Sequence, residues 1–580
     1  MTHIGFLDLL VILLFLGISF LVSYLLTRKS SNTSLENYFR SGGKLSWFIA
    51  GTGMVATTFA ADTPLAVTEL IAESGISGNW VWWYGSIGSI ITVYFFAPLW
   101  KRSGVSTDLE LVALRYSGKG SIVLRIFKSV YLGFFMNILI MAWVNLAMLK
   151  IAEVLLPGIS PALIVSLLFL FAFFYTSLMG LSGISYADAF QFFFAMAGCI
   201  LLAFLSLSYP EIGGMENLKA KLPKAFLEFT PNFDSNGKGM DFSFFLVLIT
   251  VTWWASWYPG QEPGGGGYIA QRILASKDMR SSSLSVLWFT IAHYFIRPWP
   301  WIIVALVAYI LFPELSTKDK GKGYILSLTY KPIPGLTGFF IATFMAAYLS
   351  TIATHLNWGT SYLINDLYKP YISKKKTDSH YIRTAYLIQL IMMLVSLIIT
   401  FYFIDTISGV WKFLLAGSAG LGFVLIARWF SARLNSYSEL SAFLFPLLYY
   451  FISHSIFEWK DNSARGMLFT VSCSIFSILV VTYLTPKTDF TTLKSFYKKV
   501  RPPGIFWKRW AIQNAIPLEI PCYNPYRSFL LSVSGIGMVF GGLFGIGYVI
   551  FQEYSKALIY LGLLFASGLF TYIFFPKYKE

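Results

Sequence analysis

Long unbroken apolar runs recur along almost the whole of this 580-residue chain, and they constrain its fold more than any other feature. Only 12% of the residues are charged, whereas a soluble domain carries about a quarter. The runs are about 20 residues long, which is the length that an α-helix needs to cross a bilayer. They are continuous rather than alternating, which excludes a membrane β-barrel. The sequence therefore predicts an all-α integral membrane protein with about 15 transmembrane helices.

The basic residues behind the net charge of +16 lie in short loops between the apolar runs. No extended basic face results, so we expect no nucleic-acid partner. Lys101-Arg102, Lys374–Lys376 and the basic loop 486–526 fall on one side of the membrane if the N-terminus is outside. Because cytoplasmic loops are enriched in Lys and Arg, we predict a multi-pass protein of the cytoplasmic membrane with a cytoplasmic C-terminus. The lipid bilayer is the expected partner, the basic loop is interpreted as a solvated linker on anionic headgroups, and no obligatory protein partner is evident.

The second apolar run, residues 46–74, carries groups that interrupt a helix near its centre. Pro64 lacks an N–H, and its ring crowds the carbonyl of Ala60. Asp62 stands beside it, and a charged group at mid-membrane costs at least about 2.5 kcal/mol unless it is paired or hydrated. A kinked helix whose polar groups bond one another would explain this pattern. A broken helix that lines a polar site would explain it equally, and secondary transporters bind solute and ion at such breaks.

The seventh apolar run is interrupted more strongly, because residues 259–267 hold two prolines and five glycines. Such a stretch cannot continue an α-helix. Glu262 lies within it, and the alternative interpretation is a cytoplasmic loop, since Gln271-Arg272 follow soon after. Breaks in runs two and seven, five runs apart, are expected if runs 2–6 and 7–11 form an inverted repeat. The two halves show no convincing similarity in sequence.

Two hydroxyl residues share one face of the ninth apolar run. Ala347, Ser350 and Thr351 are spaced i, i+3 and i+4, so a helix presents them together. Sodium prefers several oxygen ligands, and two hydroxyls with the freed carbonyls of a broken helix would supply them. The alternative is that both hydroxyls bond to carbonyls one turn earlier, as Ser and Thr commonly do in helices.

Four stretches, in this order along the chain, resemble the sodium/solute symporter family, which includes the sodium-coupled sugar and proline transporters. They are Tyr38–Gly43 before run two, Gly180–Gln191 between runs five and six, Gln271–Lys277 after run seven, and Ser350-Thr351 followed by Asn357 and Asp366–Tyr368. The resemblance runs from about Tyr38 to Arg433. It implies a LeuT-type fold with a five-plus-five inverted repeat and discontinuous helices two and seven. The expected organisation is an N-terminal extra helix and cytoplasmic loop in 1–45, a transporter core in 46–435, and C-terminal extra helices in 436–580.

The resemblance also implies an ion site. Its ligands would be the carbonyl oxygens of Ala56, Phe59 and Ala347 and the hydroxyls of Ser350 and Thr351. Asp188 matches an aspartate that is linked to cation binding in the family.

The match fails where the family binds solute. Run three reads Val81–Gly85, which is aromatic and nearly without hydrogen-bonding groups, whereas sugar carriers use polar residues there. Glu262-Pro263 stand where the family has an aromatic gate. A sugar is therefore less expected. We predict a solute pocket made by Asp62, Thr63, Gln261 and Glu262, with Trp82 and Trp83 beside it. A carboxylate with several aromatics could hold a cationic or amine-bearing solute.

Together these features predict sodium-coupled symport of a small organic solute, with sodium as the coupling ion and no organic cofactor. Coupling to protons through Asp62 or Asp188 stays an alternative, although a proton carrier needs no hydroxyl pair. A membrane-embedded enzyme is disfavoured, because no metal-ligand spacing, nucleophile elbow or phosphate loop occurs. A solute sensor is also disfavoured, because no signalling domain is recognisable. His293 and Arg297 in run eight are interpreted as a structural pair rather than a proton relay.

Overall fold

The architecture is described from a computed structural model that covers residues 5–27, 34–231, 240–316, 319–404, 411, 414–415, 417–459, 463–576 and 578. Within these ranges the regular structure is helical, with one isolated bridge between Leu45 and Ser276 and no β-strand. The helices in chain order are α1 Phe6–Thr27, α2 Leu35–Arg40, α3 Trp47–Thr58, α4 Thr63–Ser74, α5 Trp80–Trp83, α6 Gly85–Ile91, α7 Ala97–Ser103, α8 Glu110–Arg115, α9 Gly118–Leu155, α10 Pro161–Leu207, α11 Gly214–Lys221, α12 Phe242–Ala255, α13 Gly267–Ala275, α14 Met279–Leu311, α15 Lys322–Thr329, α16 Leu336–Ile372, α17 Asp378–Tyr402, α18 Leu421–Phe430, α19 Ser436–Phe451, α20 Ala464–Leu484, α21 Phe490–Val500, α22 Ile505–Gln513, α23 Pro525–Ile550 and α24 Tyr554–Phe574.

Nine of the helices in the described ranges are long and apolar enough to cross a bilayer, namely α1, α9, α10, α14, α16, α17, α20, α23 and α24. This confirms the predicted all-α membrane class. Other apolar segments are shorter or interrupted, such as α12 and α18. The total of about 15 membrane-crossing helices and the three-part organisation of the chain stay predictions.

Helix α10 is long enough for two crossings and bends sharply inside. Its 47 residues correspond to about 70 Å of helix, more than twice the thickness of a hydrocarbon core. Gly180 breaks it with φ 57° and ψ −170°, a conformation that residues with a Cβ rarely adopt. The glycine therefore divides α10 into two legs, at the boundary that the sequence predicts between runs five and six.

Two helices are interrupted where the sequence predicts. Helix α3 ends at Thr58 and α4 begins at Thr63, so four residues of irregular backbone separate them. Helix α12 ends at Ala255 and α13 begins at Gly267. The second gap holds the proline and glycine cluster, so the interpretation of this stretch as a break inside a membrane run holds.

Helix α16 occupies the centre of the molecule. In its most apolar window 89% of the residues are buried, against 17% in α1 and 11% in α24. It packs against α3, α9 and α10. The peripheral helices present apolar faces suited to lipid. The hydroxyl residues of α16 are thus held in the interior, next to the break between α3 and α4.

The basic segment 486–526, interpreted above as a solvated linker, is folded against the helices instead. It contains α21 and α22, and its Trp507 is buried. The indole Nε1 of Trp507 donates to the carbonyl of Trp429 at 2.8 Å, and the Trp429 ring packs at 4.9 Å on that of Trp100. Trp100 in turn donates its Nε1 to the carbonyl of Gly264 at 2.8 Å. A row of three tryptophans therefore connects this segment to the gap between α12 and α13.

Candidate ion and solute site

The hydroxyls of Ser350 and Thr351 reach from α16 to the end of α3. Ser350 Oγ donates to the carbonyl of Ala56 at 2.9 Å, and Thr351 Oγ1 donates to that of Thr57 at 2.9 Å. Both hydroxyls also lie within 3.2 Å of the carbonyl oxygen of Ala347, one turn earlier in α16. Each hydroxyl therefore bonds back within its helix, as the second alternative expects, and also reaches across to α3, while sodium binding by the pair stays a prediction.

The carbonyls at the end of α3 are available because the helix stops. The last carbonyls of a helix lack the N–H partner that a further turn would provide. The carbonyl of Ala56 accepts from the Phe59 N–H, three residues on, at 3.1 Å and from the hydroxyl of Ser350 at 2.9 Å. Pro64 stands just past the break and has no N–H to offer. The ring of Phe59 packs on Trp301 at 4.8 Å, which fixes the chain as it leaves α3.

The resulting cluster is made of uncharged oxygens in a buried setting. Ser350 and Thr351 are each 2% exposed. Nowhere in the described ranges do three or more His, Cys, Asp or Glu side chains gather as a metal-binding group. Divalent hard cations usually require carboxylates, whereas carbonyl and hydroxyl oxygens suit a monovalent ion. The donor set is therefore appropriate for sodium. Sequence reasoning missed the carbonyl of Thr57, whose only signal was its place in the last turn of α3.

Asp188 does not lie among these oxygens but is connected to them. Its Oδ2 is 3.2 Å from Arg272 Nη2, and both side chains are fully buried. Arg272 Nη2 also donates to Thr354 Oγ1 at 2.8 Å, and the hydroxyls of Thr354 and Thr57 are 2.9 Å apart. A Cβ on Gly53 would stand only 3.3 Å from Arg272 Nε, so the glycine makes room for the pair. A chain of contacts through Arg272, Thr354 and Thr57 therefore connects Asp188 to the oxygen cluster.

A cavity of about 150 Å³ adjoins the cluster, between α4, α5, the gap before α13, α14 and α16. Of the residues predicted to form the solute pocket, Asp62, Thr63, Trp82 and Gln261 line it. Further lining residues were not among the predicted ones: Thr57, Thr58, Tyr258, Tyr268, Thr351, His293, Arg297 and His355. Aromatic rings and a few polar groups thus converge on one space, as is typical of small-molecule sites.

Glu262 and Trp83 lie outside this lining, which corrects their predicted place in the pocket. The Glu262 carboxylate packs against the backbone of Gly266 and Gly267, where an added Cβ would collide with it. Trp83 is fully buried beside Trp82 and packs on Phe544 of α23. Glu262 lies outside the lining because the unwound backbone directs the side chain of Gln261 toward the cavity and that of the next residue, Glu262, away from it.

Gln261 is held at the cavity by a close approach to α5 and α6. Its Nε2 donates to the carbonyl of Trp82 at 3.3 Å. A Cβ on Gly85 would come within 2.8 Å of Gln261 Oε1 and 2.6 Å of Tyr294 Oη. Only glycine leaves room for both side chains, so the absence of a side chain at residue 85 shapes this wall.

Arg297 and His293 form a polar group in the lining of the cavity. Arg297 Nη2 and His293 Nε2 are 3.3 Å apart, and His293 Nδ1 is 3.1 Å from Thr58 Oγ1. The guanidinium stacks on the Trp301 ring at 4.8 Å and makes a long 3.5 Å contact with the carbonyl of Val55. The interpretation as a pair is compatible with this geometry, but the pair also faces the cavity. The overlooked signal was a cation in mid-run, which is costly unless it lines a polar space.

The oxygen cluster and the cavity share residues. Thr57 and Thr351 contribute oxygens to the cluster and also line the cavity, and Thr58 joins the end of α3 to His293. Any movement of α3 relative to α16 therefore changes both places.

Comparison with known proteins agrees with this geometry. The model of the sodium:solute symporter family matches residues 38–445. The sodium/glucose cotransporter of Vibrio parahaemolyticus is 24% identical over 494 residues, which cover 81% of this chain and 84% of the relative. The sodium/sialic acid symporter of Proteus mirabilis is 22% identical, over 63% of this chain and 71% of the relative. Human sodium/myo-inositol cotransporter 2 is 22% identical, and the matched region spans only 60% of its length.

A solved structure supports the fold independently. The outward-open, substrate-bound structure of a Na⁺-coupled sialic acid symporter superposes with a TM-score of 0.68, over 84% of this chain and 99% of the other. At 16% identity this likeness establishes a shared, LeuT-like fold. The relatives are transporters, and the chain is a multi-pass membrane protein of the same kind rather than an enzyme. Since the family model covers well over half of its length, the chain belongs to the sodium:solute symporter family.

Proposed function

We propose that the protein moves a small organic solute across the cytoplasmic membrane together with sodium, by alternating access. The observation that carries the proposal is the pair of hydroxyl–carbonyl contacts from Ser350 and Thr351 to the broken end of α3, at the border of the cavity. Breaks of this kind form the ion and solute sites of secondary transporters. Membership of the sodium:solute symporter family supports sodium as the coupling ion.

The proposed sodium ligands are the carbonyl oxygens of Ala56, Phe59 and Ala347 and the hydroxyls of Ser350 and Thr351. The carbonyl of Thr57 is a further candidate, because the hydroxyl of Thr351 lies against it. Sodium would attract these oxygens from α3 and α16 at once and so fix the distance between the two helices. Asp188 would act at one remove, by holding Arg272 against Thr354. Because Thr351 also borders the cavity, the ion-bound arrangement presents a defined wall to the solute. Sodium and solute then each raise the affinity for the other, as linkage requires.

The proposed solute ligands are Asp62, Thr63, Gln261 and Trp82, while Glu262 and Trp83 support the wall from behind. With the N-terminus outside, the cavity extends along α4 toward the outer face, where the lining residue Glu73 is exposed. The solute would enter there. Rocking of the interrupted helices against the rest would open the opposite side.

The test is a thermal-shift titration of the purified protein with NaCl against KCl. A ligand that binds only the native state stabilises it by mass action. We expect sodium, but not potassium, to raise the Tm, and the Ser350→Ala/Thr351→Ala double variant to lose the effect. Thr360→Val is the matched control, because Thr360 is a buried residue of the same helix whose hydroxyl donates to Met392 Sδ, away from the oxygen cluster. A wild-type protein that responds equally to both salts would exclude a specific sodium site.

Proton coupling remains a second candidate because Asp62 is a buried carboxylate at the cavity. Asp188 supports it less, since Arg272 already pairs with it. Uptake into proteoliposomes distinguishes the two. A sodium gradient without a pH gradient drives the proposed symporter, whereas a pH gradient without a sodium gradient drives the proton-coupled alternative.

A further inference from the structure

Two opposite charges are buried at the cavity without an ion-pair partner. Asp62, at the start of α4, and Arg297, in α14, are each 1% exposed. Within the described residues, Asp62 Oδ1 and Arg297 Nε have no hydrogen-bond partner, and neither residue belongs to an ion pair. Both line the same cavity.

The contacts that Arg297 does make leave at least two of its donors free for a ligand. A guanidinium carries five N–H groups in a fixed fork. Those of Arg297 reach His293 at 3.3 Å, Thr58 Oγ1 at 3.4 Å and the Val55 carbonyl at 3.5 Å, which are long distances for hydrogen bonds. The Trp301 ring supports one face at 4.8 Å and so orients the fork. The guanidinium of Arg297 is thus held in place, while its Nε–H has no hydrogen-bond partner among the described residues.

Two further acidic side chains line the cavity, the half-buried Glu69 and the exposed Glu73. The Glu69 carboxylate lies beside Gly321, where an added Cβ would come within 2.8 Å of Oε1. The carboxylate of Asp62 and the guanidinium of Arg297 are therefore the charged groups of the lining that are buried, one negative and one positive. These two charges sum to zero.

Charge balance selects among solutes. Leaving a charge buried and unpaired is costly, and pairing it recovers that cost only if the partner fits. A cationic solute would neutralise Asp62 and leave Arg297 exposed to an apolar environment, whereas an anionic solute would do the opposite. A solute with one ammonium and one carboxylate satisfies both side chains and adds no net charge.

We infer that the solute is a small zwitterion of the amino-acid or betaine type, with its carboxylate on Arg297 and its ammonium on Asp62. This inference rests on the proposed function and names the class of solute for the same cavity. The rings of Trp82, Tyr258 and Tyr268 also line the cavity. Aromatic faces attract ammonium groups and can pack against the apolar part of a solute. The pocket differs in this respect from what an uncharged sugar requires.

The experiment is a thermal-shift screen of the full-length protein in NaCl. The probes are the twenty protein amino acids and glycine betaine, then glucose, myo-inositol and sialic acid. Each zwitterion that stabilises the protein is followed by its decarboxylated amine and its deaminated acid. We expect stabilisation by at least one zwitterion and none by its two fragments or by the three sugars. In Asp62→Asn and in Arg297→Gln, the apparent affinity for that zwitterion should fall about 30-fold or more.

Controls separate this inference from the proposed function. Sodium alone should still raise the Tm of Asp62→Asn and Arg297→Gln, which also shows that they fold. If Arg297→Gln does not fold, Arg297→Lys keeps the charge and should retain weakened binding. Glu553→Gln, on an exposed turn where Glu553 pairs with Lys556, should bind like wild type. A sodium response together with binding of a sugar, of either fragment, or of no zwitterion overturns the inference and leaves symport standing. The absence of any sodium response contradicts the proposed function itself.

Discussion

Thr351 Oγ1 lies 2.9 Å from the carbonyl oxygen of Thr57, and both residues also line the central cavity. One contact thus belongs to the oxygen cluster and to the solute wall. The break in α3 that frees the carbonyl also allows α16 to approach it. A link between the proposed ion site and the proposed solute site would therefore be local and would not require a long path through the protein.

Thr351→Val should weaken sodium binding, because it removes an oxygen while keeping the shape of the side chain. A hydrogen bond or ligand contact involving a charge contributes about 1.5–3 kcal/mol, so the sodium concentration for half-maximal stabilisation should rise about 10- to 100-fold. Thr351→Ser keeps the hydroxyl and should stay within a few fold of wild type. Equal sodium dependence of the valine and serine variants would show that the hydroxyl is not a ligand.

Asp188→Asn and Arg272→Gln should each lower the stability of the sodium-free protein. Removing one partner of a fully buried ion pair leaves the other uncompensated, at a cost of about 3–5 kcal/mol. The double variant should lose clearly less than the sum of the two single losses. Thermal unfolding in KCl measures all three. Additive losses would mean that the two side chains act independently.

Gly85→Ala should impair solute binding and spare sodium binding. The added Cβ would lie 2.6 Å from Tyr294 Oη and 2.7 Å from Gln261 Cδ, so the flexible Gln261 must move. We expect the KM for solute uptake to rise about 5- to 30-fold, which corresponds to about 1–2 kcal/mol. The sodium-induced Tm shift should persist. Gly568→Ala, in peripheral α24 with nothing within 4 Å, is the control and should change neither value.

Cysteine labelling tests the proposed orientation. In a protein whose Cys199, Cys473 and Cys522 are replaced by Ser, Glu73→Cys should react with a membrane-impermeant maleimide added to intact cells. Lys374→Cys, in an exposed loop on the opposite side, should react only after the cells are permeabilised. Transported solute should slow the labelling of residue 73, because this residue lines the cavity. The reverse pattern of access would invert the topology.

The features that local chemistry controls were predictable from the sequence. Pro64 and the glycine cluster at 264–267 interrupt helices whatever surrounds them, and both breaks occur where expected. The spacing of Ser350 and Thr351 places them on one face of any helix. These elements supplied the class of fold and most of the oxygen cluster.

What escaped prediction depends on direction and on distant partners. The sequence does not say which way an unwound backbone turns, so the neighbours Gln261 and Glu262 could not be separated. Arg272 lies 84 residues from Asp188, and only the packed structure shows that they pair. A cation within an apolar run, such as Arg297, already indicates a functional position. That Arg297 lines the cavity, however, could be seen only from the tertiary structure.

The tryptophan row from Trp507 through Trp429 and Trp100 to Gly264 gives the basic segment a mechanical role. The carbonyl of Gly264 cannot shift without losing the hydrogen bond from Trp100 or moving Trp100, whose ring packs edge-on against that of Trp429. If the gap between α12 and α13 opens, segment 486–526 must therefore move with it or the contacts between them must break. A lipid or another molecule that binds segment 486–526 would therefore resist movement at this gap, which lies more than 200 residues away along the chain.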